Sequence, residues 1–192
     1  GGLAGYMRGT ITGATATGDV TVNYTGAGSS NNSYVGGLVG YGNALDIACG
    51  IGRNTHFLAQ EGFCVDAADF SDYALSQVEE NELITKIEVD LDTYNLERNK
   101  YDLIVNINYL NRRLFPQIKE SLKAGGVVIF ETFIVAHGDF NQPANPEYLL
   151  RTNELLHALI GLDIIYYEER DDINLRGENT RVASLVAQKS EC

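Results

Sequence analysis

From Asn43 onward, apolar runs of strand length alternate with helix-spaced patterns, and the last two strands follow one another with no helix between them. No other feature restricts the fold as strongly. Strands that alternate with helices build a mainly parallel sheet, because each helix carries the chain back to the same edge. Two consecutive strands with only a loop between them can only be antiparallel neighbours. The apolar runs at 44–48, 63–68, 86–89, 101–107, 127–131, 163–168 and 181–188 therefore predict an α/β sheet with an antiparallel ending. Helices are predicted over 54–60, from Ser71 to about Asn81, over 114–122 and over 146–160. Ser71 is a good N-cap, and Gly62 and the pair Gly125-Gly126 are stop signals. A charged loop is expected over 169–179.

The first strand-to-helix junction carries the densest chemistry. Residues 44–54 read Ala-Leu-Asp-Ile-Ala-Cys-Gly-Ile-Gly-Arg-Asn, a short apolar strand, a turn of small residues and a helix start. Gly50 and Gly52 let the backbone approach a ligand where a side chain would collide with it. The helix beyond offers N–H groups without helical partners and the positive end of its dipole. Asp46 sits inside the apolar run, just before the turn. A nicotinamide dinucleotide site is the obvious rival, but its fingerprint needs glycine or alanine three residues after the second glycine. Thr55 stands there, and Asp46 would set negative charge beside a pyrophosphate. A strand-turn-helix with no ligand is the other alternative.

Composition narrows the partners. The net charge of -12 over 192 residues argues against a nucleic-acid surface, which needs clustered Lys and Arg. No apolar run approaches the roughly 18 residues of a membrane span. The three cysteines, Cys49, Cys64 and Cys192, are an odd number and suit a reducing compartment better than a disulfide framework.

Composition also breaks near Gly42. Residues 1–42 hold 12 of the 20 glycines and only two charged residues, Arg8 and Asp19. Gly1-Gly2-Leu3-Ala4-Gly5-Tyr6 recurs as Gly36-Gly37-Leu38-Val39-Gly40-Tyr41, at an offset of 35. Between the two copies, 9–12 and 18–22 look like short β-rungs. The segment resembles the GLUG repeat of bacterial surface and secreted proteins, a β-solenoid unit. Solenoids need roughly three stacked repeats to close a core, so this piece is not expected to fold alone. A flexible Gly/Thr/Ser tail is the plainer alternative. An exported-type repeat set directly against an enzyme-type strand reads as a join between two proteins, with domains at 1–42 and 43–192.

Residues 45–54, with Tyr101-Asp102-Leu103-Ile104, Leu122-Lys123-Ala124-Gly125-Gly126 and Glu131-Thr132-Phe133, resemble the small bacterial class I methyltransferases that use S-adenosylmethionine (SAM) and are related to the tellurite-resistance group. The resemblance covers essentially all of 43–192. It implies a Rossmann-like seven-stranded sheet, SAM as methyl donor, a small-molecule acceptor and a cytoplasmic enzyme. On the same match, Asp46, Ala48, Gly50, Gly52, Asp69, Asp90 and Asn106 line the cofactor site. A carboxylate at Asp46 suits the ammonium group of SAM. Asp69 follows the second strand and can accept both ribose hydroxyls; a helix cap is its alternative. Asp90 can accept the adenine amino group while the Leu91 N–H meets a ring nitrogen, and a solvated turn is the alternative there. Family members carry a helical segment before the first strand, where this chain has its glycine-rich repeat. A catalytically silent SAM-binding or structural piece is therefore the second function in view, and a nicotinamide oxidoreductase the third.

Methyl transfer starts from an already activated sulfonium, so the protein mainly aligns the acceptor and excludes water. No Ser-His-Asp or metal constellation is needed, and none is apparent; His56, His137 and His157 are too dispersed for a metal site. The acceptor is expected beyond the fourth strand, at Asn106-Ile107-Asn108-Tyr109-Leu110-Asn111-Arg112-Arg113. Asn111 is expected to cap a helix with Arg112 and Arg113 in its first turn, where the dipole disfavours cations. Either these arginines hold an anionic acceptor beside Tyr109, or they pair with nearby carboxylates.

Overall fold

The computed structural model describes residues 42–174 and 177–190, and before these only the paired backbone of Val20–Thr21 and Gly36–Gly37. Those two short strands, β1 (Val20–Thr21) and β2 (Gly36–Gly37), run antiparallel with Val20 opposite Gly37. The remainder of the expected GLUG-like repeat lies outside the described residues.

Seven further strands follow: β3 (Asn43–Ile47), β4 (Cys64–Asp69), β5 (Ile84–Glu88), β6 (Tyr101–Ile107), β7 (Leu122–Phe133), β8 (Asp163–Ile173) and β9 (Asn179–Gln188). They form one sheet in the order β5-β4-β3-β6-β7-β9-β8. β4 pairs parallel with β3 and with β5, and β6 pairs parallel with β7. β9 runs antiparallel to both β7 and β8. The seven strands and the antiparallel ending are those the sequence predicts. The helices are α1 (Arg53–Gln60), α2 (Asp72–Ser76), α3 (Leu114–Ser121) and α4 (Glu154–Ala158). Two compact units divide the chain, Gly1–Val89 and Asp90–Cys192.

In the first unit, Ala44, Leu45 and Ile47 of β3 and Val65, Ala67 and Ala68 of β4 are buried. Their apolar runs hardly alternate because parallel strands are covered on both faces. α1 turns Leu58 and Ala59 inward. α2 begins as predicted, with the Ser71 hydroxyl accepting the Ala74 N–H at 3.1 Å. It stops at Ser76, short of the expected Asn81. Val78 turns into the core instead, and the Glu79 N–H donates to His56 Nε2 at 3.0 Å. A side chain from another element thus replaces the next helical acceptor.

In the second unit, α3 buries Leu114, Phe115 and Ile118, and the Phe115 ring lies 5.7 Å from that of Phe130 on β7. The long helix expected over 146–160 does not form. Pro146–Tyr148 is a single 3-10 turn. The chain is then extended at Leu150, whose N–H donates to the Phe133 carbonyl at 2.9 Å, while the Val135 N–H donates to the Leu150 carbonyl at 2.9 Å. Asn153 takes a left-handed φ of 60°, and only then does α4 start. Leu150 and Leu155 are both fully buried. A backbone ladder to the end of β7 competes for the same residues and wins over the helix. β8 also continues past Glu168 into the segment expected to be a loop.

Candidate functional site

The turn after β3 is built from three left-handed residues, Ala48 (φ 53°), Gly50 (φ 55°) and Gly52 (φ 81°). The Cys49 N–H donates to the Ala68 carbonyl of β4 at 3.0 Å, and the Gly52 N–H donates to the Cys49 carbonyl at 3.0 Å. Two carboxylates brace this turn. Asp69, at the end of β4, accepts the Gly50 N–H on Oδ2 at 2.8 Å and the Ser71 N–H on Oδ1 at 2.9 Å. Asp46, only 1% exposed, accepts the Thr55 hydroxyl on Oδ2 at 2.7 Å and also bonds the Thr55 backbone. Gly52, the N-cap of α1, has no side chain with which to cap the helix, and Asp46 supplies that function from the strand.

Burial pushes the Asp46 carboxyl up from 3.8 to about 6; the Thr55 hydroxyl and backbone oppose the shift, and the charge of Asp69 adds to it. Burial first, then Asp46 and Asp69, push the neighbouring Cys49 thiol up to about 12. Such a thiol stays protonated near neutral pH and makes a poor nucleophile.

The two glycines of the turn do different work. A Cβ built on Gly50 meets nothing within 4 Å, whereas one on Gly52 comes to 2.8 Å from Val78 Cγ2 and 3.3 Å from His56 Cε1. Gly50→Ala should therefore cost only the roughly 1–2 kcal/mol of an alanine forced left-handed. Gly52→Ala should cost about 1–3 kcal/mol more for overpacking. Urea melts of the two variants measure the difference, and equal losses would remove the packing role of Gly52.

The remaining expected residues lie in the second unit. Asp90 is exposed, and its Oδ1 accepts the Asp92 N–H at 2.9 Å, so it shapes a turn; Leu91 beside it is buried. Asn106, at the end of β6 and 1% exposed, donates its amide to the Tyr109 carbonyl at 2.7 Å. Tyr109 is half-buried, and burial raises its phenol, opposed by the Asn111 side chain. The expected helix start is corrected: α3 begins at Leu114, so Arg112 and Arg113 precede it, outside the unfavourable first turn. Asn111 closes a turn one step earlier, its Oδ1 accepting the Arg113 N–H at 3.0 Å.

Both guanidinium groups are engaged. Arg112 holds Glu154 with Nε at 2.6 Å and Nη2 at 3.1 Å. It also donates to the carbonyls of Glu147 at 2.6 Å and Leu149 at 2.9 Å. Arg113 turns to the 91–95 loop. Pairing, the plainer of the two sequence readings, describes Arg112 directly.

Residues 44–126 match the family model of the methyltransferase domain. The structure is similar to that of TehB from Haemophilus influenzae, with a TM-score of 0.68 and 22% identity over 80% of this chain. It is also similar to an S-adenosylmethionine-dependent methyltransferase from Mesorhizobium loti, with a TM-score of 0.64 and 20% identity over 79% of this chain and 92% of that one. The fold is that of the class I methyltransferases. A third methyltransferase of this shape is phosphoethanolamine N-methyltransferase 2 from Haemonchus contortus, solved with S-adenosyl-L-methionine, at a TM-score of 0.63 and 18% identity over 81% of this chain and 50% of that one. This chain spans 59% of the length of TehB. No curated protein matches its sequence.

Sequence reasoning missed Thr55, Glu154 and Arg170. Thr55 had counted only against a dinucleotide. Its contact to Asp46 spans nine positions, and the Arg112 contact to Glu154 spans 42. No local period announces either. Arg170 is the one cation in the acidic stretch Glu168-Glu169-Arg170-Asp171-Asp172, which reads as solvated loop from Glu169 onward. In the structure its Nη2 reaches the buried Glu131 of β7 at 2.8 Å.

Proposed function

We propose that this chain is a SAM-dependent methyltransferase acting on a small-molecule acceptor. The observation that carries the proposal is the braced glycine turn, with open space above Gly50 and the Asp69 carboxylate beside it. The match of 44–126 to a methyltransferase domain supports it. When bound, SAM supplies a methyl group on a positively charged sulfur, already electrophilic.

The residues present fit such a group. A carboxylate has roughly four lone-pair positions, and Asp69 commits two of them to the Gly50 and Ser71 N–H groups. The others are available to ribose hydroxyls. Gly50 and Gly52 keep the turn narrow enough for close approach, with Ala48 at its start. Asp46 is buried beneath the turn, so its assigned role is to hold Thr55 and the start of α1 in place, not to meet an ammonium group directly. In the second unit, Asp90 and Leu91 are assigned to adenine and Asn106 to the wall after β6. Tyr109 is assigned to the apolar side of the acceptor pocket, and Arg112 and Arg113 to the backbone around it. Their chemistry is alignment and exclusion of water.

The finer assignments follow the sequence resemblance. They are membership of the small bacterial, tellurite-resistance-related group, a cytoplasmic location, and a division into a GLUG-like 1–42 and a methyltransferase 43–192. The net charge of -12 disfavours nucleic acid as acceptor.

Titration of the full chain with SAM, S-adenosylhomocysteine and NAD, read by thermal shift and calorimetry, tests the proposal. SAM and S-adenosylhomocysteine are expected to bind and NAD not. Asp69→Ala should weaken SAM binding by about 1.5–3 kcal/mol, as for a hydrogen bond to a charged group. An unchanged titration in that variant removes Asp69 from the site, and binding of NAD alone overturns the proposal.

A further inference from the structure

The loop that follows β5 is gripped by a single side chain from beyond β6. Arg113 Nη1 donates to the Tyr94 carbonyl at 2.7 Å and to the Leu91 carbonyl at 3.4 Å. Its Nη2 donates to the Thr93 carbonyl at 3.2 Å and to Asn95 Oδ1 at 2.5 Å. Asn111 adds a second hold, donating Nδ2 to the Leu91 carbonyl at 3.2 Å and to Asp92 Oδ1 at 2.8 Å. Within the loop, the Thr93 and Tyr94 N–H groups donate to the Asp90 carbonyl at 3.0 and 2.8 Å. This winds 90–94 into a tight turn.

The turn aims three carbonyl oxygens and a side-chain amide oxygen at one place. Four such dipoles repel one another unless a cation with several donors stands among them. A guanidinium has five donors in one plane and suits the task; a lysine ammonium has three on a single nitrogen and cannot span the same spread of acceptors. Removing the cation should let the turn open and take Asp90 and Leu91 with it.

We infer that Arg113 is a positioning residue for adenine: it fixes the 90–95 loop so that the Asp90 carboxylate and the Leu91 N–H are presented to the base. The inference rests on the methyltransferase proposal, which assigns those two groups to adenine. It also explains two adjacent arginines after β6 in so acidic a chain. One collects the loop after β5, and the other collects 147–154 through Glu154.

The test is calorimetric titration of the full chain with S-adenosylhomocysteine and, separately, with adenosine. Arg113→Gln should weaken both by about tenfold, the size of a lost charged hydrogen bond. Arg113→Lys, which keeps the charge, should recover little of that loss. Asp90→Ala should cost less in the Arg113→Gln background than in the wild type, because both act on one loop. Lys119→Gln is the control. Lys119 Nζ also bonds carbonyls, those of Ala158 and Ile160 at 3.1 and 3.3 Å, but away from this loop. That variant should lower the melting temperature without altering either affinity. Wild-type affinity in Arg113→Lys, or strictly multiplicative losses with Asp90→Ala, overturns the inference and leaves the methyltransferase proposal standing. A wild-type chain that binds neither probe overturns the methyltransferase proposal itself, and the role of Arg113 with it.

Discussion

Replacing Arg170 with methionine is expected to lower stability by about 3–5 kcal/mol, the usual cost of stripping one partner from a buried ion pair. The Arg170 side chain is 13% exposed and that of Glu131 4%. Nη2 sits 2.8 Å from Glu131 Oε2 and 3.3 Å from Asp172 Oδ2. The Ser184 hydroxyl completes the group, bonded to both Arg170 and Glu131. Strand register explains the cluster: Glu131 of β7 and Glu168 of β8 both stand opposite Ser184 of β9. Residues two apart on a strand share a face, so Arg170 follows Glu168 onto the side where Glu131 lies. Methionine keeps much of the apolar stem but leaves the Glu131 carboxylate buried with a hydroxyl as its main partner. Urea unfolding should show a lower midpoint with an unchanged slope. Adding Glu131→Gln to that variant should restore most of the loss, since the uncompensated charge goes with it. A loss below about 1 kcal/mol, typical of exposed pairs, would contradict the buried-network account.

The second large effect concerns Asp46 and carries a sign. Burial pushes its carboxyl up to about 6 in the folded chain, against an ordinary value of 3.8. Between about pH 4 and pH 6 the native state therefore binds a proton that the unfolded chain has released. Stability from this group is greatest below about pH 4, falls as pH rises through that window, and is lost above about pH 6. A carboxyl moved from 3.8 to about 6 corresponds to about 3 kcal/mol at neutral pH. Asp46→Asn removes the titration and keeps an oxygen to accept from Thr55. The stability difference, variant minus wild type, should grow from about zero at pH 4 to as much as about 3 kcal/mol at pH 7. Paired melts at pH 4, 5, 6 and 7 read it directly, and a flat difference would show that Asp46 does not titrate in this range.

What the sequence determined by itself was local and periodic. The run of strands and helices, the antiparallel ending, the glycine turn and the cap at Ser71 all follow from spacing within a dozen residues, and there the structure agrees closely. Asp69 was also legible as a strand-end acid. The departures arise where a distant partner outbids a local preference. Leu149, Leu156 and Ile160 have helical spacing, but the free edge at Phe133–Val135 captures Leu150 as a ladder partner, and the left-handed Asn153 delays α4. The charged stretch from Glu168 to Asp172 stays in β8 because Arg170 finds Glu131 and Ser184 across the sheet. For Asp46, expected beside an ammonium group, the structure adds a buried contact that spacing did not announce, the hydroxyl of Thr55. Arg112 and Arg113 left two readings open, an anionic acceptor or nearby carboxylates, and each closes on backbone carbonyls between 19 and 37 positions away. Propensity and period act over one or two turns of chain, whereas these contacts depend on which strand ends the fold brings together. Only the tertiary structure decides that.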